Sequence, residues 1–326
     1  MAVATAERAR PRLLGVRRAF QPVLEARGLA RAMLWIGALI TAFFVVLAVF
    51  ATVISPYAFD QYEAHGKRFP QLGHPSHGHL LGTTVQSTDV LARVIWGTQT
   101  ELKVVALALV FGLTIGVPLG VISGYFAGPL DRLLVLIMDA LFAFPYLLLA
   151  IVIAFLLSSS IGKGVFSAAI AITVVYVPQY FRVVRNHVIS VREETYVEAA
   201  RALGAKPFTI MRRYVFFNVV QNVPVIATLN AADAILTLAA LGFLGYGLQP
   251  TQAAEWGYDI SRAISDASSG IWWTGLFPGV AIVLLVTGLT LLGEGLNETI
   301  NPVLRRRRVE KVEFGSSIVE AEIGSE

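Results

Sequence analysis

Apolar residues fall in six long runs, at 32–54, 104–122, 133–157, 165–184, 219–243 and 276–292, and the segments between them hold most of the charge. A helix needs about 20 mainly apolar residues to cross a bilayer, and each run comes close to that or exceeds it. A helix on a soluble core would show a polar face; the run 32–54 carries no charge on any side. The pattern predicts an all-α chain with about six membrane-spanning helices. The first run follows an Arg-rich segment, as a signal peptide would. Its length exceeds the 7–15 residues of a signal core and no A-x-A site ends it, so it is read as a retained span.

Basic residues then set the orientation, because cytoplasmic loops carry the excess of Lys and Arg. Arg8, Arg10, Arg12, Arg17, Arg18, Arg27 and Arg31 precede the first run. Arg185, Arg192, Arg201, Lys206, Arg212 and Arg213 lie between the fourth and fifth, and Arg305, Arg306, Arg307 and Arg308 follow the sixth. Six crossings place all three groups on one side. The opposite segments are poorer, with Lys67, Arg68 and Arg93 in 55–100, Lys163 in 158–164 and Arg262 in 246–275. Both termini are therefore expected in the cytoplasm. The organisation that follows is a basic N-terminal segment (1–31), a first span (32–54) and an extracytoplasmic loop (55–100). A core of five spans (101–304) holds a cytoplasmic loop at 186–217, and a polar cytoplasmic tail (305–326) ends the chain.

Composition agrees with a membrane protein. Hydrophobic residues make up 56% and charged residues 15%, against about 25% charged in ordinary soluble domains. The net charge of +4 belongs to segments flanking apolar runs, so the surface it suits is lipid, and no folded basic module remains for nucleic acid. With no cysteine, disulfides, thiol catalysis and cysteine-bound metal are excluded.

Within the spans, Gly112, Gly116, Gly120 and Gly124 recur every fourth residue and share one helix face. Small residues let two helices approach closely in lipid; we read the ladder as packing within the subunit, with a seam between subunits as the other reading. Asp139, Asp233 and Glu294 lie within or near the ends of runs, where an ionisable group must face protein or water. For Asp139 and Asp233 two roles stand equally, a place on a translocation path or gate and satisfaction inside helix packing. His65, His74, His77 and His79 cluster in 55–100. Imidazole suits Zn, Cu and Ni, but no carboxylate lies among His74–His79, and solvated loop histidines are the expectation; no metal ligand is assigned. The patterns G-x-x-x-x-G-K-[ST], H-E-x-x-H and G-x-S-x-G do not occur. No catalytic residue and no bound cofactor are therefore assigned, and any ATP-driven work needs a separate ATPase.

The cytoplasmic segment 186–217 holds the most informative stretch, Tyr196-Val197-Glu198-Ala199-Ala200-Arg201-Ala202-Leu203-Gly204-Ala205-Lys206-Pro207. Good helix formers lead to Gly204, where a helix end wants a left-handed residue, and Pro207 cannot continue a helix. A short helix over 193–203 is predicted, with alanines leaving a small-residue surface for another protein. The stretch resembles the E-A-A-x-x-x-G motif of ABC importer permeases, with Glu198, Ala199, Ala200 and Gly204 at the matching positions. The family continues to an I-x-L-P sequence; here Tyr214-Val215-Phe216-Phe217 stands in its place, so the Leu-Pro pair is missing. Further stretches are similar to the dipeptide/oligopeptide/nickel branch and to the second of its two permease types. They include Leu81-Gly82-Thr83 with Asp89–Arg93, Gly116–Gly120 with Gly124-Tyr125-Phe126, and Asp139 with Ala143-Phe144-Pro145. Phe243-Leu244-Gly245 with Gln249-Pro250, and Glu255-Trp256-Gly257, complete the set.

The resemblance implies a type I ABC importer permease in the bacterial inner (cytoplasmic) membrane. It implies a homologous second permease, two ATPase subunits that use ATP and Mg, and an extracytoplasmic solute-binding protein. In that family the motif at Glu198–Gly204 docks in a groove of the ATPase. Peptides are the implied cargo, with nickel chelates, glutathione and sugars as alternatives within the family. An ion-coupled secondary transporter would need no docking loop, and a membrane enzyme using the outer histidines would need a catalytic constellation that the sequence lacks.

Overall fold

The computed structural model describes residues 28–162 and 164–300. The basic residues Arg8 to Arg27, Lys163 and Arg305–Arg308, nearly all of the N-terminal segment and the whole tail lie outside the described residues. Within them the chain is a bundle of long helices. Helix α1 is Gly28–Val49, with one more turn at Ala51–Ile54. A small antiparallel pairing follows, β1 (Glu63–Ala64) with β2 (Lys67–Arg68). Next come α2 (Val90–Phe126), α3 (Gly128–Phe142), α4 (Tyr146–Ser160) and α5 (Val165–Arg192). A short α6 (Thr195–Ala202) leads to α7 (Pro207–Phe243), α8 (Trp256–Ala267) and α9 (Trp273–Ile300). Five of these are long and apolar enough to cross a membrane, and α3 with α4 makes a sixth if the bent pair counts as one span.

That bend corrects one expectation. The run 133–157 is not one straight helix; α3 and α4 meet at 94° across Ala143-Phe144-Pro145. Pro145 has no N–H to donate and disfavours helical geometry in the residue before it. Helix α3 stops at Phe142, and Phe144 reaches back only to the Leu141 carbonyl, at 3.4 Å.

A second correction concerns 55–100, whose last residues are helical. Asp89 caps α2, its carboxylate accepting the Ala92 N–H at 2.7 Å, and α2 then runs 37 residues, about 55 Å. Arg93 and Glu101 interrupt the apolar pattern, which is why the span was expected to begin at 104. Both are buried by protein instead of meeting lipid or water. The helix α8 is also absent from the sequence reading. Being amphipathic, with four buried residues in twelve, it gives no long apolar run.

The core lies where α2, α5, α7 and α9 meet, around Val104, Ile172, Ile235 and Leu285, all without exposed surface. The glycine ladder faces α5. A Cβ added at Gly116 would lie 2.7 Å from the Tyr180 Cβ, and one at Gly120 would lie 2.8 Å from the Phe181 carbonyl oxygen. Gly112 and Gly124 meet Tyr180 and the Arg185 backbone in the same way. Van der Waals packing drives helix association in lipid, and glycine lets it act between backbones. On the outside, Leu39, Phe43 and Val46 of α1 and Leu148, Val152 and Phe155 of α4 are exposed, as suits a chain surrounded by hydrocarbon.

The outer loop is ordered by its aromatic groups. Tyr57, Phe69 and His79 pack ring on ring, and the Trp273 indole N–H bonds the Thr83 carbonyl at 3.2 Å. The expectation of solvated histidines fails at His79, which is buried with Nδ1 2.8 Å from the Asp89 carboxylate. The carboxylate comes from ten residues further along the chain, beyond the His74–His79 stretch. His74 keeps its exposure while resting on the Trp273 ring at 4.6 Å.

Candidate functional site

Three places gather polar groups, one at each end of the bundle and one between. At the cytoplasmic end, ion pairs fix the ends of the long helices. Arg185 donates to both Asp131 oxygens at 2.6 and 2.8 Å, Ser123 Oγ donates to the same carboxylate, and Arg192 reaches the Gly124 carbonyl at 3.0 Å. This ties α2, α3 and α5 at the base on which α6 sits.

Helix α6 is the expected short helix, two residues shorter at its start and one at its end. Its termination follows the Schellman pattern. Gly204 has φ +80°, its N–H bonds the Arg201 carbonyl at 2.9 Å, and the Ala205 N–H bonds the Ala200 carbonyl at 3.0 Å. Pro207 ends nothing; it opens α7, where a missing N–H is harmless. The two alanines of the motif part company. Ala199 and Glu198 face out, whereas Ala200 joins Val197 in a buried cluster with Val184, Val188, Ile210 and Val215. The small-residue surface expected from the alanines is therefore narrower, because an amphipathic helix must spend one face on its own chain. Where the family's Leu-Pro pair is absent, α7 stays continuous. It widens into a π-turn at Met211–Val215 and tightens into a 3-10 turn at Val220–Asn222. Asn218 Nδ2 donates to the Tyr196 hydroxyl at 3.0 Å and joins α7 to α6.

Between the ends, the α3–α4 bend opens a cavity of about 460 Å³ against α5 and α7. Asp233 lies on its wall with Tyr176 and Gln179. Asp139 is not among the residues that line it; it pairs with Arg182 at 2.9 Å, and the Arg182 guanidinium covers the Phe142 ring at 4.2 Å. Arg182 escaped the sequence reading. Its signal was an arginine inside the apolar run 165–184, which needs a partner at membrane depth. Glu294 stands apart, exposed near the end of α9.

At the outer end, α8 is held to α2 by buried polar groups. Arg93 donates to Asp259 through Nε at 2.8 and 3.0 Å and to the Phe59 carbonyl at 3.2 Å. The Trp256 indole, fully buried against Gly97, donates to the Val94 carbonyl at 3.2 Å. Glu255 caps α8, accepting from the Gly257 and Tyr258 N–H groups at 2.7 and 2.8 Å, and its carboxylate presses on Gly242 of α7. Burial pushes the Glu255 carboxyl up to about 7 against the pull of those two bonds, and the Asp259 carboxylate adds to the rise. Glu101 lies fully buried beside it.

Comparison with known proteins agrees with this architecture. Residues 116–306 match the family described as "Binding-protein-dependent transport system inner membrane component". The chain is similar to the dipeptide transport system permease protein DppC of Alkalihalophilus pseudofirmus, 36% identical over 273 residues, covering 83% of this chain and 86% of that one. It is similar to the glutathione transport system permease protein GsiD of Pectobacterium atrosepticum, 32% identical over 261 residues, covering 80% and 84%. Its fold matches a chain of the inward-facing MetNI methionine ABC transporter with a TM-score of 0.53 and 22% identity, covering 65% of this chain and 96% of that one. The chain belongs to the binding-protein-dependent transport system inner membrane components and is a multi-pass permease subunit of an ABC importer.

Proposed function

We propose that this permease imports short peptides across the cytoplasmic membrane as one half of a translocation pathway. A homologous permease forms the other half, two separate ATPase subunits supply the ATP- and Mg-dependent work, and an extracytoplasmic binding protein delivers the cargo. The observation that carries the cargo assignment is the similarity, over four-fifths of the chain, to permeases named for dipeptide and for glutathione, itself a tripeptide.

In this reading α6 transmits the ATPase cycle. Its outward edge, with Glu198, Ala199 and the turn at Gly204, lies against the ATPase, and its inner edge, through Val197 and Ala200, moves the core around Val184 and Val215. Asp139 and Asp233 belong to the wall of the pathway, since a carboxylate at membrane depth must face water or protein. The alternation of the pathway is a two-state equilibrium that the binding protein and ATP bias from opposite ends.

The test is uptake by liposomes holding the complete complex. Labelled di- and tripeptides are expected to enter when binding protein and internal ATP are both present, and to stay out when either is omitted. A complex that hydrolyses ATP in response to its binding protein yet imports no peptide would overturn the cargo assignment.

A further inference from the structure

The cavity beside the α3–α4 bend sets one carboxylate, Asp233, among neutral polar groups and aromatic rings. Thr237 Oγ1 donates to the Asp233 carbonyl at 2.9 Å, so its proton is committed. In the contact of Tyr176 with Thr237, at 3.0 Å, the tyrosine hydroxyl must then be the donor. Tyr176 thus spends its one proton on α7 and retains only acceptor capacity. Beside it, the Asp233 side chain is exposed to the cavity and has no ion pair or hydrogen bond among the described residues. The nearby Asp139 is different, because Arg182 already neutralises it. The opposite wall is aromatic, formed by Phe142, Phe144 and Tyr146, and aromatic faces attract cations.

A carboxylate in a span without a counter-ion of its own is expensive. Among the described residues no basic side chain lines the cavity, so an anion beside Asp233 would meet a like charge and no counter-charge. From this juxtaposition we infer that Asp233 is a cation-recognition site inside the membrane, which receives the amino-terminal ammonium of a peptide as it passes. The ligand assignment rests on the peptide reading above; the cation preference rests on the cavity alone. An ammonium there would donate hydrogen bonds to Asp233, the Tyr176 oxygen and the Gln179 side-chain carbonyl while its charge lay near the rings. Arg182, clamped between Asp139 and Phe142, would keep a second carboxylate from competing for the same cation.

The chain has no cysteine, which permits a direct measurement. Leu236 lines the cavity one turn from Asp233, and Leu236→Cys is reacted with cationic and anionic methanethiosulfonates in a complete complex whose other subunits lack cysteine. The ratio of cationic to anionic rates is expected to fall about tenfold when Asp233→Asn is added and to return with Asp233→Glu. Gln179→Cys supplies a second position should Leu236→Cys fail to assemble. In parallel, uptake of an all-alanine tripeptide, whose one cation is its amino terminus, is measured in liposomes. Asp233→Asn should lower uptake about tenfold, the worth of one charge-assisted hydrogen bond; Asp233→Glu should restore uptake. An unchanged rate ratio, or full uptake by Asp233→Asn, would overturn the inference and leave peptide import standing. A native complex that imports no peptide yet keeps the Asp233-dependent ratio would overturn the peptide reading and its ligand assignment and leave the cation preference.

Discussion

Ala199 and Ala200 stand side by side in one motif and face opposite ways, so the same substitution asks two questions. Ala200→Trp would force an indole into the cluster of Val184, Val188 and Val215, where overpacking typically costs about 1–3 kcal/mol. Lower melting of the isolated complex is the expected result. Ala199→Trp adds its bulk outside and should leave melting unchanged. In the coupling proposed above it abolishes uptake and binding-protein-stimulated hydrolysis, because the indole stands in the contact with the ATPase. Gly204→Val acts by a third route, since a β-branched residue strongly disfavours the positive φ that the Schellman turn requires. Normal uptake by Ala199→Trp with insertion intact would remove α6 from the motor contact. Sequence spacing found the motif but gave no way to distinguish its two alanines, since nothing local says which edge of an eight-residue helix meets its own chain.

At the scale of elements, α8 is the part most dependent on buried polar contacts, and Glu255 is its cap. The groups around that carboxyl are Glu101 and Arg93 from α2, and Tyr258 and Asp259 on α8; α7 presents the uncharged Gly242. A carboxyl whose folded value stands above its ordinary 4.5, here at about 7, binds protons more tightly folded than unfolded. Its contribution is complete below about 4.5 and is lost as pH rises towards 7. The α2–α8 junction should therefore be firmer at pH 5 than at pH 8. Hydrogen exchange across Trp256–Ala267 at the two values checks it, with Glu255→Gln expected to flatten the difference. Faster exchange at pH 5 in the native chain would refute the sign. Glu255-Trp256-Gly257 resembles the family as a string, but its role lies in contacts with α2 some 160 residues away, which no periodicity records.

For the whole molecule, the order of helices places 55–89, 161–164 and 244–272 at one end and the segment around α6 at the other. The excess of basic residues assigns the second end to the cytoplasm. With no native cysteine, Ser76→Cys and Gln252→Cys should react with an impermeant maleimide in intact cells. Leu203→Cys, 88% exposed at the end of α6, should react only after the membrane is opened. Labelling of Leu203→Cys from outside would invert the topology.

The sequence alone determined the class, the positions of most spans and the short helix with its glycine end. Each of these depends on local quantities, namely the length of an apolar run and the φ that a terminus demands. Tertiary structure decided the rest. It broke the run 133–157 at Pro145 and turned that break into a cavity. It extended α2 back to Val90 by burying Arg93 and Glu101, which an apolar window reads as the end of a span. It buried His79 against Asp89, paired Asp139 with Arg182, and left Asp233 without a counter-ion among the described residues. The physical reason is common to all of these. The cost of a charge in a membrane depends on its partners, and those partners come from helices that the chain brings together only when it folds.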